Sequence, residues 1–296
     1  MIKRRFIWGF AILFGLAVIA NVSWSRFGKP MGDQVVHFEP AIKQCDQIGA
    51  LKYCVYTASA GTSDDIVYHL HGRNLDENSW NDETYFTSMV QSQWQQRNVR
   101  PPRVVTVSYG GTWLLARKGQ REASGLLEQF IAHLDLIEHK IGKPARRILL
   151  GESMGGLNVL IAGLSHPDRF AKVAALCPGV YVDSPFATFV VMKDGIKRTG
   201  ASPKVAVSIY LMAQKYFANE SEWGQASPLK LIEKSSAKYP ALYLSCGLYD
   251  HFGNFEGTQM LANAATAKGV NVEWHPIYGG HCASDAKSLA RFLASP

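Results

Sequence analysis

RRILLGESMGGLNVL, Arg146 to Leu160, decides how the chain is read. Ile148-Leu149-Leu150 is a short apolar run with the character of a buried strand. It enters Gly151-Glu152-Ser153-Met154-Gly155 directly, and a helix-compatible apolar segment follows from Leu157. This is G-x-S-x-G between a strand and a helix, the setting in which the motif lifts a serine hydroxyl above a sheet edge. The glycines let neighbouring backbone come close without a Cβ in the way. The N-terminal amides of the following helix then lie near any oxyanion formed at the serine. Without support elsewhere the same letters describe only a glycine-rich turn with an incidental serine.

Support lies on both sides. Upstream, residues 42–57 pattern as two antiparallel strands, and Ile66 to Gly72 reads as a central strand ending in a glycine turn. A helix-like stretch at 83–96 and a strand at 104–108 follow. Leu126, Leu127, Phe130, Ile131, Leu134 and Ile137 then recur at helical spacing. Downstream, Val173 to Cys177 is a strand closed by Pro178-Gly179, and Leu242 to Cys246 is another. A helix is expected near 255–268, a last strand at 272–277 and a last helix at 286–293. Strands alternating with helices predict an α/β protein with a mostly parallel sheet covered on both faces. Residues 181–238 leave this alternation, carry a helical stretch near 205–217, and read as an insertion or lid before the next strand.

Lys3, Arg4 and Arg5 precede an apolar, uncharged run from Phe6 to Ala20, the order of a secretory signal. Val18-Ile19-Ala20 offers a cleavage site, while Phe6 to Trp24 is near the length of an anchor. Residues 1–25 are therefore read as a signal peptide or an N-terminal membrane anchor, with both outcomes open, and 26–296 as one α/β domain. Export is expected, as a periplasmic, secreted or membrane-anchored protein facing outside the cytoplasm, the anchored outcome giving membrane association through residues 6–24. The formal net charge of +7 falls to +4 without those three leader cations. No dense Lys/Arg run interleaves with aromatics, so a nucleic-acid partner is not expected. Of five cysteines, Cys45 and Cys54 flank a plausible turn and are expected to staple two early strands in an oxidising compartment. Cys177 and Cys246 fall in apolar runs and read as small buried thiols. No CxxC spacing suggests zinc.

A serine nucleophile needs a base, and the base needs an acid to fix its tautomer. In strand–turn–helix hydrolases these follow in the order Ser, Asp or Glu, His. Asp250 lies just past the strand 242–246 and His281 just past the last strand, in Tyr278-Gly279-Gly280-His281. Both loops leave strand C-termini, the edge where open α/β sheets carry their sites. Alone, such an aspartate is a turn former and such a histidine a surface residue; order and placement together nominate Ser153, Asp250 and His281. His251 is the rival base and Glu256 the rival acid, while Glu152 is read as structural. The oxyanion donors are expected to be the backbone N–H of Met154 and of Arg73, with Asn74 as second choice after Arg73. His69 and His71 alternate on one strand, but with no nearby carboxylate or third histidine they are read as structural and not as metal ligands.

The chain resembles the esterase D-like branch of the α/β hydrolases, with its formylglutathione hydrolases, feruloyl and acetylxylan esterases and mycolyltransferases. The resemblance is carried by His71-Gly72 with Trp80 following, the block from Gly151 to Gly179, and Ser227-Pro228-Leu229. Cys246-Gly247 with Asp250, and Gly279-Gly280-His281, complete it. It implies an α/β-hydrolase fold with an eight-stranded sheet, no metal or other cofactor, and acyl transfer to water or occasionally another acceptor. Two departures stand out. Many relatives carry an acidic residue and a tryptophan after the histidine, where this chain has Cys282-Ala283-Ser284. Residues 181–238, where selectivity usually resides, match poorly.

The expected activity is therefore that of an exported serine ester hydrolase acting on a small-molecule, polysaccharide or lipid ester. Two other readings use the same residues: acyl transfer onto an envelope sugar or lipid, and a non-catalytic binding protein on a hydrolase scaffold.

Overall fold

The computed structural model describes residues 36–112, 126–234 and 238–295. The leader expected at 1–25, with its apolar run at 6–24, lies outside them. Among the described residues no helix is long and apolar enough to cross a membrane.

Eight strands form one sheet: β1 (Ile42–Ile48), β2 (Leu51–Thr57), β3 (Ile66–Leu70), β4 (Arg103–Ser108), β5 (Arg147–Glu152), β6 (Lys172–Leu176), β7 (Ala241–Gly247) and β8 (Val272–Ile277). Their spatial order is β1-β2-β4-β3-β5-β6-β7-β8. The β1–β2 and β2–β4 pairs are antiparallel, and every pair from β4–β3 to β7–β8 is parallel. The central strands IVYHL and KVAAL are buried at every position, as parallel strands covered on both faces must be. Cys45 and Cys54 face each other across β1–β2 and are disulfide-bonded.

Side-chain alternation divides the core into two layers. Ile148, Leu150, Ala174 and Leu176 point to the face covered by α1 (Phe86–Gln96) and α9 (Ala286–Ala294), through Val90, Trp94, Leu289 and Leu293. Leu149, Val173 and Ala175 point to the face covered by α2 (Leu126–Ile141), α3 (Met154–Ser165) and α8 (Asn254–Ala267). The α2 residues buried there are Phe130, Ile131, Leu134 and Ile137, four of the six singled out by their helical spacing. Among the described residues between β6 and β7 there are four helices, α4 (Phe189–Thr199), α5 (Pro203–Tyr216), α6 (Glu220–Ala226) and α7 (Pro228–Lys234). Only α5 was expected. Of the other three, α6 and α7 have seven residues each, and α4 buries only Gly195 while Phe189, Val190 and Val191 stay exposed.

Candidate active site

Ser153 sits between β5 and α3 with φ 54° and ψ −113°, a backbone conformation costly for any residue with a Cβ. Its surroundings hold it there. The Ser153 N–H donates to the Leu176 carbonyl at 2.9 Å. Two positions later, a Cβ on Gly155 would overlap the Leu70 carbonyl, so glycine alone lets α3 pack onto the end of β3. Met154 begins α3, and its amide is one of the first-turn N–H groups that find no partner within a helix.

Asp250, on the β7–α8 loop, has a fully buried side chain. Its Oδ1 accepts the Phe252 N–H at 2.8 Å, and its Oδ2 accepts from His281 Nδ1 at 2.8 Å and from the Cys246 thiol at 3.5 Å. Burial first, and then the Asp250 charge, push the Cys246 thiol far up, so it remains a protonated donor. His281, on the β8–α9 loop, places Nε2 at 2.9 Å from Ser153 Oγ. Nδ1 is thus the donor to the carboxylate and Nε2 the acceptor from the hydroxyl, with Ser153, His281 and Asp250 in one continuous line of hydrogen bonds. The Phe252 ring lies 4.1 Å from the imidazole, centroid to centroid.

The rivals are elsewhere. Glu256 pairs with Arg198 at 2.7 Å. His251 is exposed, its ring centroid 5.9 Å from that of His281.

The reading of Cys177 as a free buried thiol is corrected: Cys177 is bonded to Cys282, and Cys246 is the free cysteine. Cys177 closes β6, and its N–H donates to Ser245 O at 2.7 Å. Its carbonyl accepts from the buried Asn254 side chain at 2.9 Å. The residue after His281 is thereby tied to the middle of the sheet. Close packing adds a second tie, because a Cβ on Gly247 would overlap the Gly280 carbonyl. Among the described residues Cys177, His281 and Cys282 are the one group with metal-ligand spacing, but both sulfurs are spent in the disulfide and offer no thiolate.

Opposite the histidine, residues 72–75 line the same space as Ser153, Met154 and His281. Glu152 holds this loop. Its side chain, 1% exposed, accepts the Gly72 N–H at 2.7 Å and His69 Nε2–H at 2.8 Å. The fold supplies to His69 the carboxylate that its own neighbourhood in sequence lacks, from a residue 83 positions away. His69 Nδ1 in turn accepts from the Thr106 hydroxyl at 3.1 Å. His71 donates Nδ1–H to the Gly72 carbonyl at 2.7 Å and accepts at Nε2 from the Ser108 hydroxyl at 2.7 Å. Burial lowers its pKa, which keeps it neutral with that tautomer. The Gly72 carbonyl also accepts from Leu75 N–H, so both faces of this peptide unit are spoken for on the carbonyl side. The N–H of a trans peptide points opposite its C=O. Fixing the Gly72 carbonyl therefore fixes the direction of the Arg73 N–H.

The space over Ser153 measures about 710 Å³. Its walls come from the 72–75 loop, Tyr85, Phe252, the His281–Cys282 step and α5, which contributes Lys204, Ser208 and Met212.

The family model described as "Putative esterase" matches residues 51–284. No curated protein sequence matches the chain. Solved structures of similar fold include a ferulic acid esterase, 16% identical with a TM-score of 0.56, covering 87% of this chain and 96% of that one. A putative esterase from Staphylococcus aureus is 12% identical, with a TM-score of 0.61 and coverage of 86% and 84%. A bacterial esterase of the hormone-sensitive lipase family is 17% identical, with a TM-score of 0.59 and coverage of 90% and 85%. At these identities the structures speak for the α/β-hydrolase fold, while the family model spans most of the chain, β2 to the residues after His281. The chain belongs to the putative esterase family and is a carboxylic ester hydrolase.

Proposed function

We propose that the chain is a serine esterase working through an acyl-enzyme, with Ser153 as nucleophile, His281 as general base and Asp250 as its orienting acid. The line of hydrogen bonds from Ser153 Oγ through His281 to Asp250, 2.9 and 2.8 Å long, carries the reading. As Ser153 Oγ attacks the ester carbonyl carbon, its proton passes to His281 Nε2. The buried Asp250 carboxylate stabilises the imidazolium that results. The carbonyl oxygen becomes an oxyanion and takes hydrogen bonds from the amides of Met154 and Arg73. Collapse of this intermediate breaks the bond to the alcohol oxygen, which leaves with the proton from Nε2. Water, deprotonated by the same nitrogen, then attacks the acyl-enzyme and releases the acid and Ser153.

The roles of Met154 and Arg73 are supported by their position: both border the space over Ser153, one at a helix N-terminus and the other in a loop that His71 and Glu152 hold by its carbonyl and amide. Export completes the proposal. Two disulfides among the described residues fit an oxidising compartment.

Ser153→Ala tests the chemistry. Hydrolysis of p-nitrophenyl acetate is expected to fall at least 1,000-fold, on the order of what loss of a triad member costs, with unchanged circular dichroism and no labelling by a fluorophosphonate. Turnover at the parent rate in that variant rejects Ser153 as nucleophile.

A further inference from the structure

Large apolar side chains exposed one at a time are ordinary on a protein surface, but a cluster of them calls for a cause. Of thirteen such side chains among the described residues, eight stand on α4, α5 and two loops at the edge of the sheet that carries the site. Phe189, 76% exposed, Val190 and Val191 open α4, and Val207 and Leu211 lie on α5. Leu248 and Tyr249 follow β7, and Tyr278 follows β8. These pieces are joined. The Ser202 N–H, between α4 and α5, donates to the His251 carbonyl at 2.8 Å, and the Tyr249 N–H donates to the Gly279 carbonyl at 3.0 Å. The Tyr249 and Tyr278 rings meet edge to face, 5.4 Å apart. Asp250 and His281 belong to the same two loops, and α5 walls the space over Ser153, so the exposed apolar groups adjoin the mouth of the site.

Charge accompanies them in a pattern. Lys204, Val207, Leu211 and Lys215 follow one another at three and four residues and share one exposed face of α5, while Ala213 on the other side is buried. On α4, Val190, Lys193 and Lys197 repeat that spacing, and Gly195 is buried. Lys193, Lys197, Lys204 and Lys215 hold no ion pair among the described residues. Residues 181–238 carry eight Lys or Arg and five Asp or Glu, and the balance stays positive when Glu256 of α8, which shares Arg198 with Asp183, is added.

We propose that this edge docks on an anionic lipid bilayer, with α4 and α5 lying in the interface and the mouth of the site turned toward it. Lysine stems reach along an apolar surface to the headgroups while their apolar neighbours enter the acyl boundary. Exposed tyrosines suit the headgroup level. A second copy of the chain fits this face less well, because it would set the same lysines against each other. A polyanionic sugar would answer the lysines and leave Phe189, Val207 and Leu211 in water. The docking does not depend on the chemistry at Ser153.

Vesicle flotation of the full chain tests this, using phosphatidylcholine alone or equal parts phosphatidylcholine and phosphatidylglycerol. Binding to the mixed vesicles is expected to be at least tenfold tighter and to weaken with added salt. Phe189→Ser with Leu211→Ser should weaken it at least tenfold. Lys193→Gln with Lys197→Gln should weaken it roughly 25-fold, at about fivefold for each basic residue. All four side chains are exposed and stand apart from the walls of the space over Ser153, so turnover of p-nitrophenyl acetate and thermal unfolding should match the parent. A leader retained at residues 1–25 would reach a bilayer by itself, so hydrogen exchange locates the contact. On the mixed vesicles the amides of residues 189–215 should exchange several-fold more slowly, and those of β1 as in solution.

Binding indifferent to lipid charge, parental binding by both variant pairs, or unchanged exchange over residues 189–215 would each overturn the proposal. A concentration-dependent dimer that Leu211→Ser dissolves would overturn it too, by assigning the face to a second copy.

Discussion

Replacing Cys177 and Cys282 together by alanine removes the covalent tie between the end of β6 and the residue after His281. The two are 105 positions apart, and a cross-link closing a loop of that size restricts the unfolded chain by about 4.7 kcal/mol. The Cys45–Cys54 bridge closes only nine positions, for about 2.6 kcal/mol by the same relation. Alanine keeps the Cβ, so the positive φ of Cys177 and Cys282, 41° and 57°, is as costly in the variant as in the parent and drops out of the comparison. The difference of about 2 kcal/mol corresponds to a melting temperature about 4–8 °C lower for the Cys177/Cys282 variant than for the matching Cys45/Cys54 variant. Activity should separate the two further. Loss of the long bridge frees the His281 loop at one of its two ties, so kcat for p-nitrophenyl acetate should fall several-fold with little change in KM. Loss of the short bridge, on the far strand pair, should leave kcat alone. Scanning calorimetry and initial rates on the two double variants decide the matter. Equal melting temperatures, or an equal effect on kcat, would refute the reasoning and leave the Gly247–Gly280 packing as sufficient support for the histidine.

Two more outcomes follow from buried polar groups. Glu152→Ala leaves the Gly72 N–H and His69 Nε2–H without an acceptor in a site almost closed to water, at about 1–3 kcal/mol for each. Urea unfolding should register that loss and kcat/KM should drop with it, whereas Glu152→Gln, which keeps one acceptor, should lose less of both; equal stability of the alanine variant and the parent would contradict it. Lys172 donates through Nζ to the carbonyls of Phe292 and Ser295, and burial pushes its pKa down to about 8. The unfolded chain, with an ordinary lysine near 10.4, holds more protons between those values, so stability should rise with pH from about 8 to about 10, by up to about 1.4 kcal/mol per unit. Lys172→Met should lack this increment in urea midpoints taken at pH 7.5 and 9.5, and an identical increment in both proteins would assign it to another group.

The parts of the site legible in the sequence are those whose cause is local. The Ser153 turn shows in its glycines because backbone approach at Gly155 tolerates no Cβ. Asp250 and His281 show because sites form where parallel strands end, Asp250 after the apolar run of β7 and His281 after the last strand, β8. Cys45 and Cys54 show because a tight turn separates them. What was illegible depends on contacts made across the sheet. The Cys177–Cys282 bond joins two loops 105 positions apart, and a cysteine ending an apolar strand looks the same free or bonded. Glu152 fills the variable position of its motif, and only the pairing of β3 with β5 brings it to His69 and Gly72. The insertion hid its helices for a different reason. Helix α4 buries only Gly195 and opens on three exposed apolar residues, Phe189, Val190 and Val191, which blur the helical spacing of Met192 and Ile196.

The sheet ends on two unlike margins. β1 is exposed along most of its length and carries Lys43, Gln44, Asp46 and Gln47, with Asp46 paired to Lys140 at 2.6 Å. β8 carries Pro276, which has no N–H to offer, and Glu273 next to Arg291 and His275. Charge and proline at a margin discourage another strand from adding on. Both margins are thereby poor templates for the backbone ladder that an added strand would need.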